Sequence, residues 1–316
     1  MSQQPHICYA LTCGNDDYYA QMTYISASLV QRLYPNRRIV LLVDEVTDEL
    51  LRGRDDPVLS VIKEMCRVET GSSSQSLRSR FLKTTLRQMQ EGPFVFLDAD
   101  TAPVRPFDEF LDCGADFAAV QNRDAYVRRP GFSRWAGTNI FQPMGWSHPL
   151  SCYFNSGVMY MADNAATHRL AARWHTLWKQ QVQKIAMHQD QAALNVALQE
   201  VDVTIEEFGP PFNAVVEYVP SYARDARILH YFASAQGGRP RRETLLGHLL
   251  ESYLTTGEID FAAVDDVVRR NDGWVRPIPS IRYHLARRNY TRAMMLIPPK
   301  VPGALRLIRD KALRRK

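Results

Sequence analysis

Short, unbroken apolar runs alternating with stretches of helical spacing constrain this chain more than any other feature. Residues 7–12, 38–43 and 94–97 are too short for stable helices and show no polar alternation. That is the pattern of strands covered on both faces. Between the first two runs, Tyr18, Met22, Ile25, Leu29 and Leu33 recur at helical spacing. A helix-rich stretch follows the second run, and residues 76–89 read as a further helix. Beyond the third run, ordered structure resumes with residues 152–161, followed by helices over 163–184 and 188–199, and 203–208 and 227–231 read as late strands. Alternation of this kind predicts an α/β fold with a mostly parallel sheet flanked by helices. Residues 122–150 interrupt it with Pro, Gly, Arg and Trp in no clear period, as a lid or binding loop would.

At 316 residues and 45% hydrophobic content, the chain is long enough to fill a sizeable core. Its five cysteines lack C-x-x-C spacing, which argues for a reducing compartment and against a disulfide framework or zinc site. The N-terminus has no basic segment followed by an apolar run, and no stretch approaches the roughly 20 apolar residues that span a bilayer. A cytoplasmic protein is expected, in peripheral contact at most with the inner face of a membrane. The net charge of +5 is unevenly placed. Residues 281–316 hold eleven of the 39 basic residues and one of the 34 acidic ones, leaving 28 against 33 in the body. Within the tail, Leu305, Ile308 and Ala312 fall on one side of a helix with cations around them. Such a helix suits an anionic membrane surface, although a solubilising or RNA-attracting tail fits the same charge.

The third apolar run stops abruptly at Asp98-Ala-Asp100. In open α/β sheets, ligands sit at the carboxyl ends of strands. Two carboxylates one residue apart at such an end can turn toward one hard divalent cation, which neutralises charge developing on a diphosphate leaving group. Strand-end aspartates also often do no more than cap a turn. The same residues match the D-x-D-x-T signature of haloacid-dehalogenase-like phosphatases, in which the first Asp is a nucleophile. There, however, the motif normally ends the first strand, and here two strands precede it. The later acidic pair Asp265-Asp266 lies in a stretch that reads as helical.

Further along come Phe154-Asn-Ser-Gly-Val-Met159, His188-Gln-Asp-Gln-Ala-Ala-Leu-Asn195 and Ile228-Leu-His-Tyr231. With Gly14-Asn-Asp-Asp-Tyr18 and the D-x-D, in this order and spacing, the chain resembles the family 8 glycosyltransferases, which include glycogenin and bacterial lipooligosaccharide galactosyltransferases. The resemblance covers about residues 6–232. It implies a glycosyltransferase-A fold with a Rossmann-like sheet, and transfer of a hexose from a nucleotide-sugar, usually a UDP-sugar, with retention of configuration. It also implies Mn2+ (or Mg2+) held at the positions of Asp98, Asp100 and His230. The positions of Thr12, Asn15 and Asp16 match the nucleoside-binding loop, and those of Arg80 and Lys83 an R-x-x-K segment that meets the donor. Asn155 matches a donor-sugar contact, and Asp190 and Gln191 match residues beside the anomeric carbon. Ala192 stands where the family often has a further acid. After His230 the usual H-Y-x-G-x-x-K-P-W text is replaced, and Arg239 is the candidate for the missing diphosphate-gripping Lys.

Plainer roles stand beside several of these: a turn next to Gly157 for Asn155, surface charge for Arg80 and Lys83, and helix packing for Asn195. Tyr126, Arg128, Arg129, Trp135 and Trp146 make 122–150 the candidate acceptor lid. The expected organisation is a catalytic domain over 1–240, a helical extension over 241–298 and a basic amphipathic tail over 299–316. The expected acceptor is a glycan or lipid-linked glycan, with no nucleic-acid partner. A phosphatase and a non-catalytic nucleotide-sugar-binding protein are the alternatives from other classes.

Overall fold

A computed structural model describes residues 4–122, 140–147, 152–217, 220–233 and 237–296. The first half runs β1 (His6–Leu11), α1 (Tyr19–Leu33), β2 (Ile39–Asp44), α2 (Glu45–Gly53), α3 (Val58–Val61), β3 (Glu64–Val68), α4 (Gln75–Met89), β4 (Phe94–Leu97), β5 (Thr101–Pro103), α5 (Asp108–Leu111) and β6 (Phe117–Gln121). A helical turn α6 (Gln142–Met144) leads to β7 (Phe154–Met161), α7 (Ala165–Ile185), α8 (Gln191–Glu200) and β8 (Ile205–Phe208). The chain then forms β9 (Ala214–Val215), β10 (Ile228–His230), α9 (Leu245–Thr256), α10 (Phe261–Arg270), α11 (Ile281–Ala286) and α12 (Tyr290–Met295).

Seven strands form one sheet in the order β3-β2-β1-β4-β7-β6-β8. Only β7 opposes its neighbours, pairing antiparallel with β4 and β6, while the other pairings are parallel. The apolar runs have the expected cause. In β1, Ile7, Tyr9 and Leu11 enter one core and Cys8 the other, and β2 and β4 divide their side chains likewise. Helix α1 is buried on two sides. Ala27 and Val30 face the main sheet, while Met22, Ile25 and Leu29 join a third core with α9, α10 and Trp274. No described helix is long and apolar enough to cross a membrane, and all five cysteines are free thiols.

Two features depart from the sequence reading. The stretch read as helix-rich after β2 contains β3, an edge strand whose Glu64 and Arg67 are exposed. Charge on an edge strand blocks pairing with other chains and erases the apolar run that marks a strand. In addition, β5, β9 and β10 form a separate three-stranded sheet in the order β5-β10-β9. Its strands of two and three residues are too short to carry a period. Most of the candidate lid (123–139 and 148–150, with Tyr126, Arg128, Arg129 and Trp135) and the whole tail over 299–316 lie outside the described residues. Within the described part, Trp146 packs edge-on against Phe141 at 6.3 Å.

His6, at the start of β1, is 3% exposed. Burial, reinforced by the nearby Arg38 charge, lowers its pKa to about 4. The folded value lies below the unfolded one, so protons favour the unfolded chain. The stability contributed by His6 is therefore complete above pH 6.5 and is lost as pH falls toward about 4. At about 1.4 kcal/mol per pH unit, unfolding free energy should drop by about 2 kcal/mol between pH 6.5 and 5 through this group alone. In His6→Gln, urea unfolding should show that much less loss over the same window. An unchanged pH slope would contradict the assignment.

Candidate active site

The strand order places β1 and β4 side by side, although β2 and β3 lie on the far side of β1. This is a topological switch point, where carboxyl ends of parallel strands leave a crevice. Thr12 follows β1 and Asp98 follows β4. Because β7 runs the other way, its first residues lie at the same end: Leu97 pairs with Val158, and Asp98 N–H donates to Gly157 O at 2.8 Å. A cavity of about 710 Å³ opens here, within the usual range for small-molecule sites.

The chain brings His230 to this point by continuing from Asp100 directly into β5, where Thr101 pairs with His230 of β10. Tyr231 N–H donates to Asp100 O at 3.1 Å, and Ala233 N–H to Asp100 Oδ2 at 2.7 Å. Phe232 adopts φ +44°, in the left-handed region. Asp98, Asp100 and His230 each offer one ligand atom, all within 4.8 Å of one another, and His230 Nε2 lies 3.3 Å from Asp100 Oδ1. Two carboxylates and an imidazole so arranged can hold a metal ion.

Gly157 makes this convergence possible. A Cβ there would lie 2.4 Å from His230 Cε1 and 2.9 Å from both Asp98 Oδ2 and Asn155 Oδ1. Two of the three candidate ligands, His230 and Asp98, thus close over a residue with no side chain.

From α4, Lys83 reaches both Asp98 oxygens at 2.9 and 3.0 Å and stands 3.8 Å from Asp190 Oδ2. Arg80 Nε meets Asp190 Oδ1 at 3.0 Å. The alternative that these two are plain surface charges therefore fails, and Lys83 is 3% exposed. The titration shifts separate the carboxylates. Burial pushes Asp98 up, with Lys83 pulling it back. For Asp100, burial is outweighed by His230 and by the Ala233 N–H, and its carboxyl is held below the usual range. Asp190 also falls, because Lys83 and Arg80 outweigh its burial. Oppositely shifted neighbours of this kind cluster at functional sites.

Of the candidates from sequence, Thr12, Arg80, Lys83, Asp98, Asp100, Asn155, Asp190, Gln191 and His230 all line the cavity. Asn15, Asp16 and Arg239 do not; all three are exposed. Asn15 accepts a hydrogen bond from Arg54, and Arg239 lies over the Tyr18 ring at 4.9 Å. Asp17 instead shapes the first loop, accepting from Gly14 N–H and from Gln75 Nε2, both at 2.7 Å. Asn195 has the packing role, exchanging hydrogen bonds with both backbone groups of Phe154. The acidic pair of the phosphatase alternative lies away from the cavity on α10, where Asp265 pairs with Arg32, and Asp266 with Arg269 and Arg270. Sequence reasoning did not single out Tyr19, Gln75 or Phe232, which also line the cavity, or Asn213 behind His230. None sits in a recognisable motif.

No protein-family model matches the chain, and no curated protein does. Among solved structures, the galactosyltransferase LgtC, in complex with donor and acceptor sugar analogs, aligns with TM-score 0.49 at 17% identity, over 72% of this chain and 87% of its own. Mouse xyloside xylosyltransferase 1 aligns with TM-score 0.46 at 15% identity, over 73% and 98%. The glycosyltransferase GlyE of Streptococcus pneumoniae TIGR4 aligns with TM-score 0.51 at 14% identity, over 83% of this chain and 63% of GlyE. At that identity the likeness is one of architecture: the central, mostly parallel sheet flanked by helices is the fold of a solved glycosyltransferase.

Proposed function

We propose that this chain is a retaining hexosyltransferase that uses a nucleotide-sugar donor, most simply a UDP-sugar. The observation that carries the reading is the convergence of Asp98, Asp100 and His230 at the switch point of a glycosyltransferase-like fold. A Mn2+ or Mg2+ ion held by these three would act there as Lewis acid and countercharge for the leaving diphosphate. Lys83 and Arg80 add fixed positive charge on the same wall, preorganised for the charge that grows as the glycosidic bond breaks. Asp190 and Gln191, at the start of α8, would hold sugar hydroxyls.

Front-side substitution suits this lining. Ala192 offers a methyl group where the related family often has an acid, and Gln191 Oε1 accepts from Ser156 N–H at 3.3 Å. Asp190 is the remaining carboxylate of the lining, and it is held by Arg80. In this route the acceptor oxygen attacks the face from which the diphosphate departs, and the hydroxyl proton passes to the departing oxygen. A glycan or lipid-linked glycan acceptor fits the basic tail, whose cations suit an anionic surface.

The test is a panel of nucleotide-sugars with Mn2+ and the full chain. Release of the nucleoside diphosphate should require both the matching sugar and the metal, and should stop with chelator. The transferred sugar should keep its anomeric configuration by NMR. Hydrolysis of p-nitrophenyl phosphate with no nucleotide-sugar turnover would establish the phosphatase instead. Tight UDP-sugar binding without turnover would establish a non-catalytic binding protein.

A further inference from the structure

His230 is 1% exposed, and Asn213 and Asn155 are each 2% exposed. Together they form a continuous hydrogen-bonded chain behind the acidic pair. Gly157 N–H reaches Asn155 Oδ1 at 2.8 Å, Asn213 Nδ2 reaches the same oxygen at 2.9 Å, and His230 Nδ1 lies 2.8 Å from Asn213 Oδ1. Buried polar groups must be satisfied, and each atom in this chain has a limited repertoire.

The chain is anchored by a group with no choice. A backbone N–H donates and never accepts, so Asn155 must present its carbonyl oxygen to Gly157. Turning the amide over would set its NH2 group against that N–H. With that oxygen fixed, Asn213 must offer its NH2 group to Asn155 and therefore its own oxygen to the imidazole. An amide oxygen accepts and never donates. Nδ1 of His230 must then carry a proton.

The geometry points to Asn213 as a positioning residue that fixes His230 in the Nδ1–H form and turns the Nε2 lone pair toward Asp98 and Asp100. That is the less favoured tautomer of a neutral imidazole in water, so a buried partner is needed to hold it. It leaves Nε2 facing Asp100 Oδ1 at 3.3 Å, two electron-rich atoms that only a cation or a proton can bridge. Local topology supplies the placement. Asn213 ends the short helical turn Pro210–Asn213 and leads into β9, whose Val215 pairs with His230 across a parallel bridge. A ligand imidazole held from behind through its other nitrogen is a general device for setting ring orientation and basicity. This inference rests on the metal reading above for its consequence, but its core, the proton position, can be measured without metal.

The experiment uses the full chain labelled with 15N-histidine, in chelator at pH 8, with the His230 ring resonances assigned by their loss in His230→Gln. Long-range proton–nitrogen correlation should show a protonated Nδ1 in the wild type. A bare Nδ1 with a protonated Nε2 would overturn the proposal, and this measurement needs no variant to fold. In Asn213→Ala the proton should redistribute toward Nε2, and Mn2+ affinity by calorimetry should fall about tenfold to a hundredfold. Unchanged tautomer and affinity in a folded Asn213→Ala would also overturn it. In Asn155→Asp both donors still find an acceptor, so the Nδ1–H form should persist; its loss there would contradict the chain of argument. If the wild type shows the expected tautomer yet takes up no Mn2+, the positioning role of Asn213 stands and the metal reading falls.

Discussion

Gly157→Ala should reduce metal-dependent turnover by at least a hundredfold while leaving a folded protein. The added methyl group would stand 2.4 Å from His230 Cε1 and 2.9 Å from Asp98 Oδ2, distances that real carbon contacts do not reach. The strand cannot retreat, because Gly157 O accepts from Asp98 N–H and the next residue, Val158, is paired with Leu97. The strain must therefore be relieved by His230, Asp98 or Asn155, two of them candidate ligands and the third hydrogen-bonded to the Asn213 that holds His230. His230 is held by Asn213 on one side and lies against Phe232, ring centroids 4.6 Å apart, on another. Overpacking of this kind costs about 1–3 kcal/mol, which a domain of this size survives. The larger effect is on the site, since shifting a ligand by about 1 Å can cost a hundredfold in rate. Mn2+ titration should show the affinity loss directly. Gly53→Ala is the control, because a Cβ at Gly53 meets nothing within 4 Å. Wild-type Mn2+ affinity in Gly157→Ala would mean that the three side chains do not share one ion.

Much of this architecture was legible because burial on both faces leaves a mark on sequence. The runs that became β1, β2 and β4 are apolar throughout, since alternate residues enter two different cores. The acidic pair was legible for a related reason: charge directly after such a run lies at a sheet's carboxyl edge. What stayed hidden has no local signal. Strand β3 carries edge charges, while β5 and β9 are defined only by their pairing with β10, more than a hundred residues beyond β5. His230 is marked only by the Leu-His-Tyr of the resemblance; taken alone it reads as an ordinary buried histidine, and β5 shows why it lies beside Asp100. Asn213 sits in Gly209-Pro-Pro-Phe-Asn213, which reads as a turn and nothing more. Gly157 reads in the sequence as part of a motif, but its role is a space, and a space is visible only when the atoms around it are placed. Conversely, only position within a pattern marks Asn15, Asp16 and Arg239, and all three are exposed and outside the cavity lining.

Lys83→Met should separate the two roles of positive charge in this site. Among the residues lining the cavity, three carboxylates (Asp98, Asp100, Asp190) face two permanent cations (Arg80, Lys83). The lining is thus one positive charge short, and Lys83 is the cation that spans two of the acids. It sits within hydrogen-bond distance of both Asp98 oxygens, with its ammonium 5.0 Å over the Phe96 ring. Lys83 is therefore a resident countercharge for Asp98 and, at the same time, a repulsive neighbour for any divalent ion bound there. Breaking a buried pair costs about 3–5 kcal/mol. Asp98 retains 26% of its side-chain exposure, so solvent screening brings the expected loss in the metal-free protein to about 2 kcal/mol. Metal affinity should move the other way. An ammonium and a divalent ion about 5 Å apart at an effective dielectric of about 20 repel by about 7 kcal/mol; water entering the cavity screens most of that, and a Mn2+ dissociation constant at least about tenfold tighter is expected, which needs only about 1.4 kcal/mol of it to remain. Turnover should nevertheless fall, because in the proposed mechanism Lys83 also supplies charge to the departing diphosphate. The informative result is this opposition: a less stable metal-free chain, tighter Mn2+ and slower transfer, read by thermal unfolding with and without Mn2+, calorimetry and nucleoside diphosphate release. If Lys83→Met weakened Mn2+ binding in step with activity, Lys83 would be a support of the metal site and not its competitor, and the charge argument for a divalent ion at Asp98 and Asp100 would lose its main electrostatic ground.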